Sequence, residues 1–170
     1  MSANNQNITL HGNPVELSGT SISLGQDAPA FTLSGGDLKD VSLSDFKGKV
    51  LILSVVPSVD TPTCQVQTRK FNEEMNEKGD SVTVLCVSRD LPFALSRFCG
   101  AEGLENIRIA SDYKYRTFGK SYGVDMEGAG LLARAVFVLN KDHKIVHVEY
   151  VSEVSAEPNY ADALKAIDSL

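Results

Sequence analysis

The chain has 170 residues, 42% of them apolar and 22% charged, which excludes an intrinsically disordered polypeptide and reads as a soluble globular protein. Sixteen Lys and Arg against 22 Asp and Glu give a formal charge of -6 with no basic block, so nothing is present to track a phosphate backbone and no nucleic acid partner is expected. The longest apolar run, Val50–Val56, is broken by Ser54 and far short of the roughly 20 residues of a membrane helix; Met1–Asn7 lacks the basic start and apolar core of a secretory signal, and together these point to the cytoplasm and to no membrane partner.

A single domain spanning 1–170 is expected, since this length buries roughly 70% of the surface of the unfolded chain. From Pro14 to Leu24, apolar residues alternate around Ser18-Gly19-Thr20, which predicts a short N-terminal β-hairpin ahead of the main sheet. Phe31–Leu33 and Val41–Leu43 read as short strands. Val50–Val56 reads as a strand buried on both faces and ended by Pro57. A helix follows from about Pro62 to Glu77: Thr61 suits the N-cap, Pro62 the first turn, and Cys64, Thr68, Phe71 and Met75 form one inward stripe.

Val82–Val87 predicts a second buried strand, Leu91–Cys99 a helix ended by Gly100, Ile107–Ala110 a third strand, and Tyr113–Tyr122 a helix closed by Gly123. Ala135–Leu139 and Ile145–Val151 form an antiparallel hairpin about a turn at 140–143. Pro158 opens a last helix in which Tyr160, Ala163, Leu164 and Ile167 recur at helical spacing. The order implies an α/β protein with a central mixed sheet flanked by helices on both faces. The right-handed crossover rule then sets the loop Pro57–Thr63 at the carboxyl end of a central strand, where open α/β folds gather ligands.

Three cysteines, Cys64, Cys86 and Cys99, stand 22 and 13 residues apart, which suits neither a disulfide-stapled scaffold nor a zinc site built on C-x-x-C pairs. In a reducing compartment any disulfide among them is expected to be transient and catalytic. As the third helical residue, Cys64 lies among backbone N–H groups without intrahelical partners, near the positive end of the helix dipole, and both effects favour a thiolate. On the stripe alone, Cys64 also reads as a small core residue. Cys86 lies within an apolar strand and reads as inert; Cys99, at a helix end where local opening is easier, is the better partner for Cys64. Arg134 in isolation reads as a solvated charge beside a strand.

The stretch Pro57-Ser58-Val59-Asp60-Thr61-Pro62-Thr63-Cys64 carries the signature P-x-x-x-T-x-x-C and resembles the peroxiredoxins. The segments Arg69–Glu74, Ser88–Leu104, Ser111–Val124 and Leu131–Asn140 extend the resemblance to the bacterial thiol peroxidase branch, an atypical two-cysteine family, over essentially the whole chain. The resemblance implies a thioredoxin-like fold and a thiol-dependent peroxidase acting on hydrogen peroxide and organic hydroperoxides. It implies that Cys64 is the peroxidatic cysteine and Cys99 the resolving one, forming an intrachain disulfide recycled by thioredoxin. Thr61 and Arg134 are implied to orient sulfur and peroxide, Pro57 to shape the pocket, and the protein to form a homodimer.

Bonding Cys64 to Cys99 would close a loop of about 35 residues, worth roughly 3 to 4 kcal/mol before strain, and is expected to require local unwinding. No flavin, haem, nicotinamide or metal cofactor is expected, because the sulfur carries the redox change and His143 and His147 have no convincing third ligand. A redox sensor, resolution by another molecule's thiol, and a disulfide reductase are the competing readings. Thr61 counts against the last, standing where a second active-site thiol would be needed.

Overall fold

The computed structural model describes residues 4–170. The first three residues of the N-terminal stretch considered above for a secretory signal lie outside them. Strands β1 (Ile8–Leu10), β2 (Asn13–Val15) and β3 (Leu17–Ser18) open the chain, followed by β4 (Thr32–Gly35), β5 (Asp40–Ser42) and β6 (Val50–Val55). Then come α1 (Pro62–Lys78), β7 (Val82–Ser88), α2 (Pro92–Glu102), β8 (Ile107–Ser111), α3 (Phe118–Ser121), β9 (Asp125–Met126), β10 (Ala135–Leu139), β11 (Ile145–Tyr150) and α4 (Tyr160–Asp168).

Seven strands form one mixed sheet in the order β11-β10-β6-β7-β8-β4-β5. β6, β7 and β8 run parallel, while β10 and β4 add antiparallel on either side. The central strands are apolar throughout because both faces are covered. On β6, Ile52 faces α1, α2 and α4, whose Phe71, Leu95 and Ala163 join it in one core; Leu51, Leu53 and Val55 face a second core with Phe31, Phe118 and Tyr122. Helices thus lie on both faces, but unequally: the second face is covered by α3 and the N-terminal segments.

Three expectations change. The N-terminal hairpin exists, but it pairs β1 with β2 about His11-Gly12, and Ser18-Gly19-Thr20 is not its turn. His11 and Gly12 have φ of 51° and 78°, the two consecutive positive values of a tight two-residue hairpin loop. β3 instead pairs with β9, and a Cβ on Gly19 would sit 2.1 Å from the Lys120 carbonyl oxygen, so the glycine serves a chain crossing. The helix predicted over Tyr113–Tyr122 shrinks to α3, because Asp112 turns back to accept from the N–H groups of Phe118 and Gly119, and Arg116 takes a positive φ of 57°. Finally, α2 passes through Gly100 and ends at Gly103, which adopts the left-handed conformation (φ 64°, ψ 35°) that terminates helices. Cys99 therefore stands inside the helix.

Candidate active site

The buried β6 delivers Pro57 to the carboxyl end of the sheet, and Asp90, just past β7, holds the loop that follows. Its carboxylate accepts from Ser58 Oγ at 2.7 Å and from the Val59 N–H at 2.9 Å. Ser88 Oγ donates to the same carboxylate at 2.6 Å, and Ser111 Oγ donates to the Asp90 carbonyl. The loop ends at Thr61, the N-cap of α1, with Pro62 in the first turn. Thr61 does not cap with its side chain; its hydroxyl donates to the Ser58 carbonyl at 3.0 Å, a bond within the loop.

Cys64 occupies the third helical position and is wholly buried, packed in the core on the α1 face. Arg134, one residue before β10, is 2% exposed, so every donor it has must find a partner inside. Its Nη2 donates to Cys64 Sγ at 3.2 Å, its Nη1 to Gln67 Oε1 at 2.8 Å and its Nε to the Val154 carbonyl at 2.8 Å. Gln67 is itself held, its Nε2 donating to Ser54 Oγ on β6 at 2.8 Å. Among the described residues no carboxylate pairs with Arg134. Two of the guanidinium's three hydrogen bonds thus go to neutral oxygens and the third to the Cys64 sulfur, the one acceptor among them that ionises.

Above this pair lies a cavity of about 350 Å³. Pro57, Thr61, Pro62, Thr63 and Arg134 line it together with Leu10, His11, Met126, Leu131, Val154 and Ser155. Of the five residues singled out in the sequence, four are thus gathered: Pro57, Thr61 and Arg134 at the cavity and Cys64 bonded to Arg134. Cys99 is not at the cavity. It is half-buried on α2, packed against the same core as Cys64 and Cys86, and all three cysteines are free thiols. Burial pushes the Cys99 thiol up to about 11 and the Cys86 thiol up to about 12.

Gln67, Asp90 and the Val154 carbonyl were missed in the sequence. Gln67 carried a signal, being a polar residue three positions after Cys64 on a stripe otherwise suited to the core. Among the described residues no group of three or more His, Cys, Asp or Glu side chains is gathered as a metal site would need, and no helix is long and apolar enough to cross a membrane.

The chain is similar to known proteins over nearly its whole length. The redoxin family profile matches residues 23–164. A thiol peroxidase of Halalkalibacterium halodurans is 51% identical over 159 residues, covering 94% of this chain and 95% of its own. That of Bacillus subtilis is 47% identical over 163 residues, covering 96% and 97%. Among solved structures, a peroxiredoxin-like protein from Aquifex aeolicus superposes with a TM-score of 0.90 at 40% identity over 99% of both chains. A thiol peroxidase from Chromobacterium violaceum, 18% identical, shares the fold with a TM-score of 0.88 over 98% of this chain and 97% of its own.

Proposed function

Because the chain belongs to the thiol peroxidases of the redoxin family, enzymes that reduce peroxides with a thiol, we propose that Cys64 is the attacking sulfur and Arg134 the group that activates it. The observation that carries this reading is the 3.2 Å hydrogen bond to Cys64 Sγ from Nη2 of Arg134, which lines a cavity together with Pro57 and Thr61.

The Cys64 thiolate attacks the terminal oxygen of a hydroperoxide; an S–O bond forms, the O–O bond breaks, and the departing alkoxide or hydroxide takes a proton to leave as alcohol or water. Cys64 becomes a sulfenic acid. Arg134 favours this step by donating to the thiolate at the start and to the charge that develops on the leaving oxygen. Thr61 and Pro57 shape the approach. Cys99 then attacks the sulfenic sulfur, an S–S bond forms and the oxygen leaves as water. A dithiol, thioredoxin in this proposal, supplies two electrons to restore both thiols.

Cys99 lies within a helix and is half-buried, so α2 opens locally for the sulfurs to meet. Only Pro92, Leu95 and Phe98 of α2 are buried, against six residues of α1, and the exposed ion pairs Arg97–Asp60 and Arg69–Glu102 add little hold. The apolar walls favour organic hydroperoxides as substrates. The chain acts as one domain, in the cytoplasm, as a homodimer.

The test is to treat Cys99→Ser with one equivalent of peroxide and a sulfenic-acid trap. Mass spectrometry is expected to find the trap on Cys64 in Cys99→Ser and an intrachain disulfide in the native chain. A trap found only on Cys86, or on no cysteine, contradicts the assignment.

A further inference from the structure

The Glu153 carboxylate collects five hydrogen bonds from two parts of the chain. Its Oε1 accepts from the His11 N–H at 2.8 Å, the Ser155 N–H at 3.1 Å and Ser155 Oγ at 2.7 Å. Its Oε2 accepts from Thr9 Oγ1 at 2.7 Å and the Gly12 N–H at 3.1 Å. The consecutive positive φ values of His11 and Gly12 turn their N–H groups toward the carboxylate, the concave arrangement of successive amides that binds an anion. These donors, the Ser155 hydroxyl foremost, then the Thr9 hydroxyl and the Gly12 N–H, hold the carboxyl well below the usual carboxylate range.

The segment that carries Glu153 also touches the reacting groups. The Val154 carbonyl accepts from Arg134 Nε, and the Ser155 carbonyl accepts from Thr63 Oγ1 at 2.9 Å, in the first turn of α1. On its other side the β1–β2 hairpin contributes Leu10 and His11 to the cavity wall. The main-chain bonds from Thr9 N–H to Ser152 and from Val154 N–H to Thr9, 2.8 Å each, set the hairpin beside this segment but leave its turn unheld. Glu153 supplies the contacts to the turn.

We propose that Glu153 is a positioning residue for substrate specificity: by fixing the hairpin turn it holds Leu10 and His11 as a cavity wall that binds the apolar group of an organic hydroperoxide. The proposal rests on the reading of Cys64 as the attacking sulfur. Hydrogen peroxide has no apolar group to meet Leu10, Met126, Leu131 or Val154, so its reduction depends little on where the hairpin stands.

The experiment measures steady-state reduction of cumene hydroperoxide and of hydrogen peroxide, with dithiothreitol as reductant, by native enzyme, Glu153→Ala, Thr9→Val, Leu10→Ala and the Glu153→Ala/Leu10→Ala double variant. For Glu153→Ala, kcat/KM for cumene hydroperoxide is expected to fall about tenfold, carried by KM, against about twofold or less for hydrogen peroxide. Thr9→Val moves the same ratio in the same direction by less, and it carries the test should Glu153→Ala not fold. The double variant is expected to lose less than the product of the single losses, because both act on one wall. Amide exchange over residues 8–15 rises in Glu153→Ala. Equal losses on both peroxides, or cumene hydroperoxide kinetics unchanged in Glu153→Ala and Thr9→Val, overturn the proposal while leaving the peroxidase reading intact. A native enzyme that reduces neither peroxide removes the peroxidase reading itself.

Discussion

Arg134 spends its guanidinium on three acceptors in three directions, the sulfur of Cys64, the amide oxygen of Gln67 and the carbonyl of Val154. A lysine has one nitrogen on a flexible stem and cannot reproduce that fork. Arg134→Lys is therefore expected to slow the reaction of Cys64 with peroxide by about 10² to 10³, the cost of losing one preorganised donor at a developing charge; stopped-flow oxidation of the Cys99→Ser background measures it. A fall of less than threefold would show that positive charge alone suffices. Pro57, Thr61 and Cys64 were legible because they form a short signature, and Arg134 only through the wider family resemblance, since alone it reads as a solvated charge. Gln67 and the Val154 carbonyl were not: a polar residue on the helical stripe marks Gln67 without naming its partner, a backbone oxygen carries no mark in sequence, and both meet Arg134 only because it is buried between them. Asp90 was hidden for a related reason, since it acts through a loop about 30 residues earlier in the chain.

Among the elements, long apolar strands and the periodic helix α1 were readable, while ends and turns were decided by tertiary contacts. Gly100 looked like a helix stop, but its Cβ position is open space within α2, and the stop is Gly103. The first hairpin turn was misplaced because Gly19 suggests a turn when it in fact makes room for the Lys120 carbonyl. The position of Gly100 gives a test of local opening. An alanine there meets no neighbour and stabilises the helix by about 0.5 to 1 kcal/mol. If α2 unwinds before Cys99 meets Cys64, Gly100→Ala should slow formation of their disulfide by about two- to fivefold and leave the preceding oxidation of Cys64 unchanged. An unchanged disulfide rate in a quenched-flow thiol assay contradicts unwinding.

At the scale of the whole molecule, the doubly covered sheet was legible from the continuous apolar runs of β6, β7 and β10, and its unequal covering was not, because the alternation of the N-terminal segments does not say which face of the sheet they pack against. Burial of thiols in the core on one face of this sheet has a consequence for stability. Cys99 and Cys86 titrate at about 11 and about 12 in the folded protein, above the roughly 8.5 of an unfolded thiol. Their folded values are raised, so their contribution is complete below about 8.5 and is lost as pH rises through 11 to 12. The Tm of the reduced protein is expected to fall from about pH 8 to about pH 11, with a shallower fall in Cys99→Ser; identical slopes would show that Cys99 burial is not coupled to folding. The central claim, that the whole fold exists to present one sulfur to a peroxide, is tested most directly by steady-state peroxide consumption with thioredoxin, thioredoxin reductase and NADPH. The native chain is expected to turn over while Cys64→Ser does not, and undiminished turnover in Cys64→Ser would contradict the account.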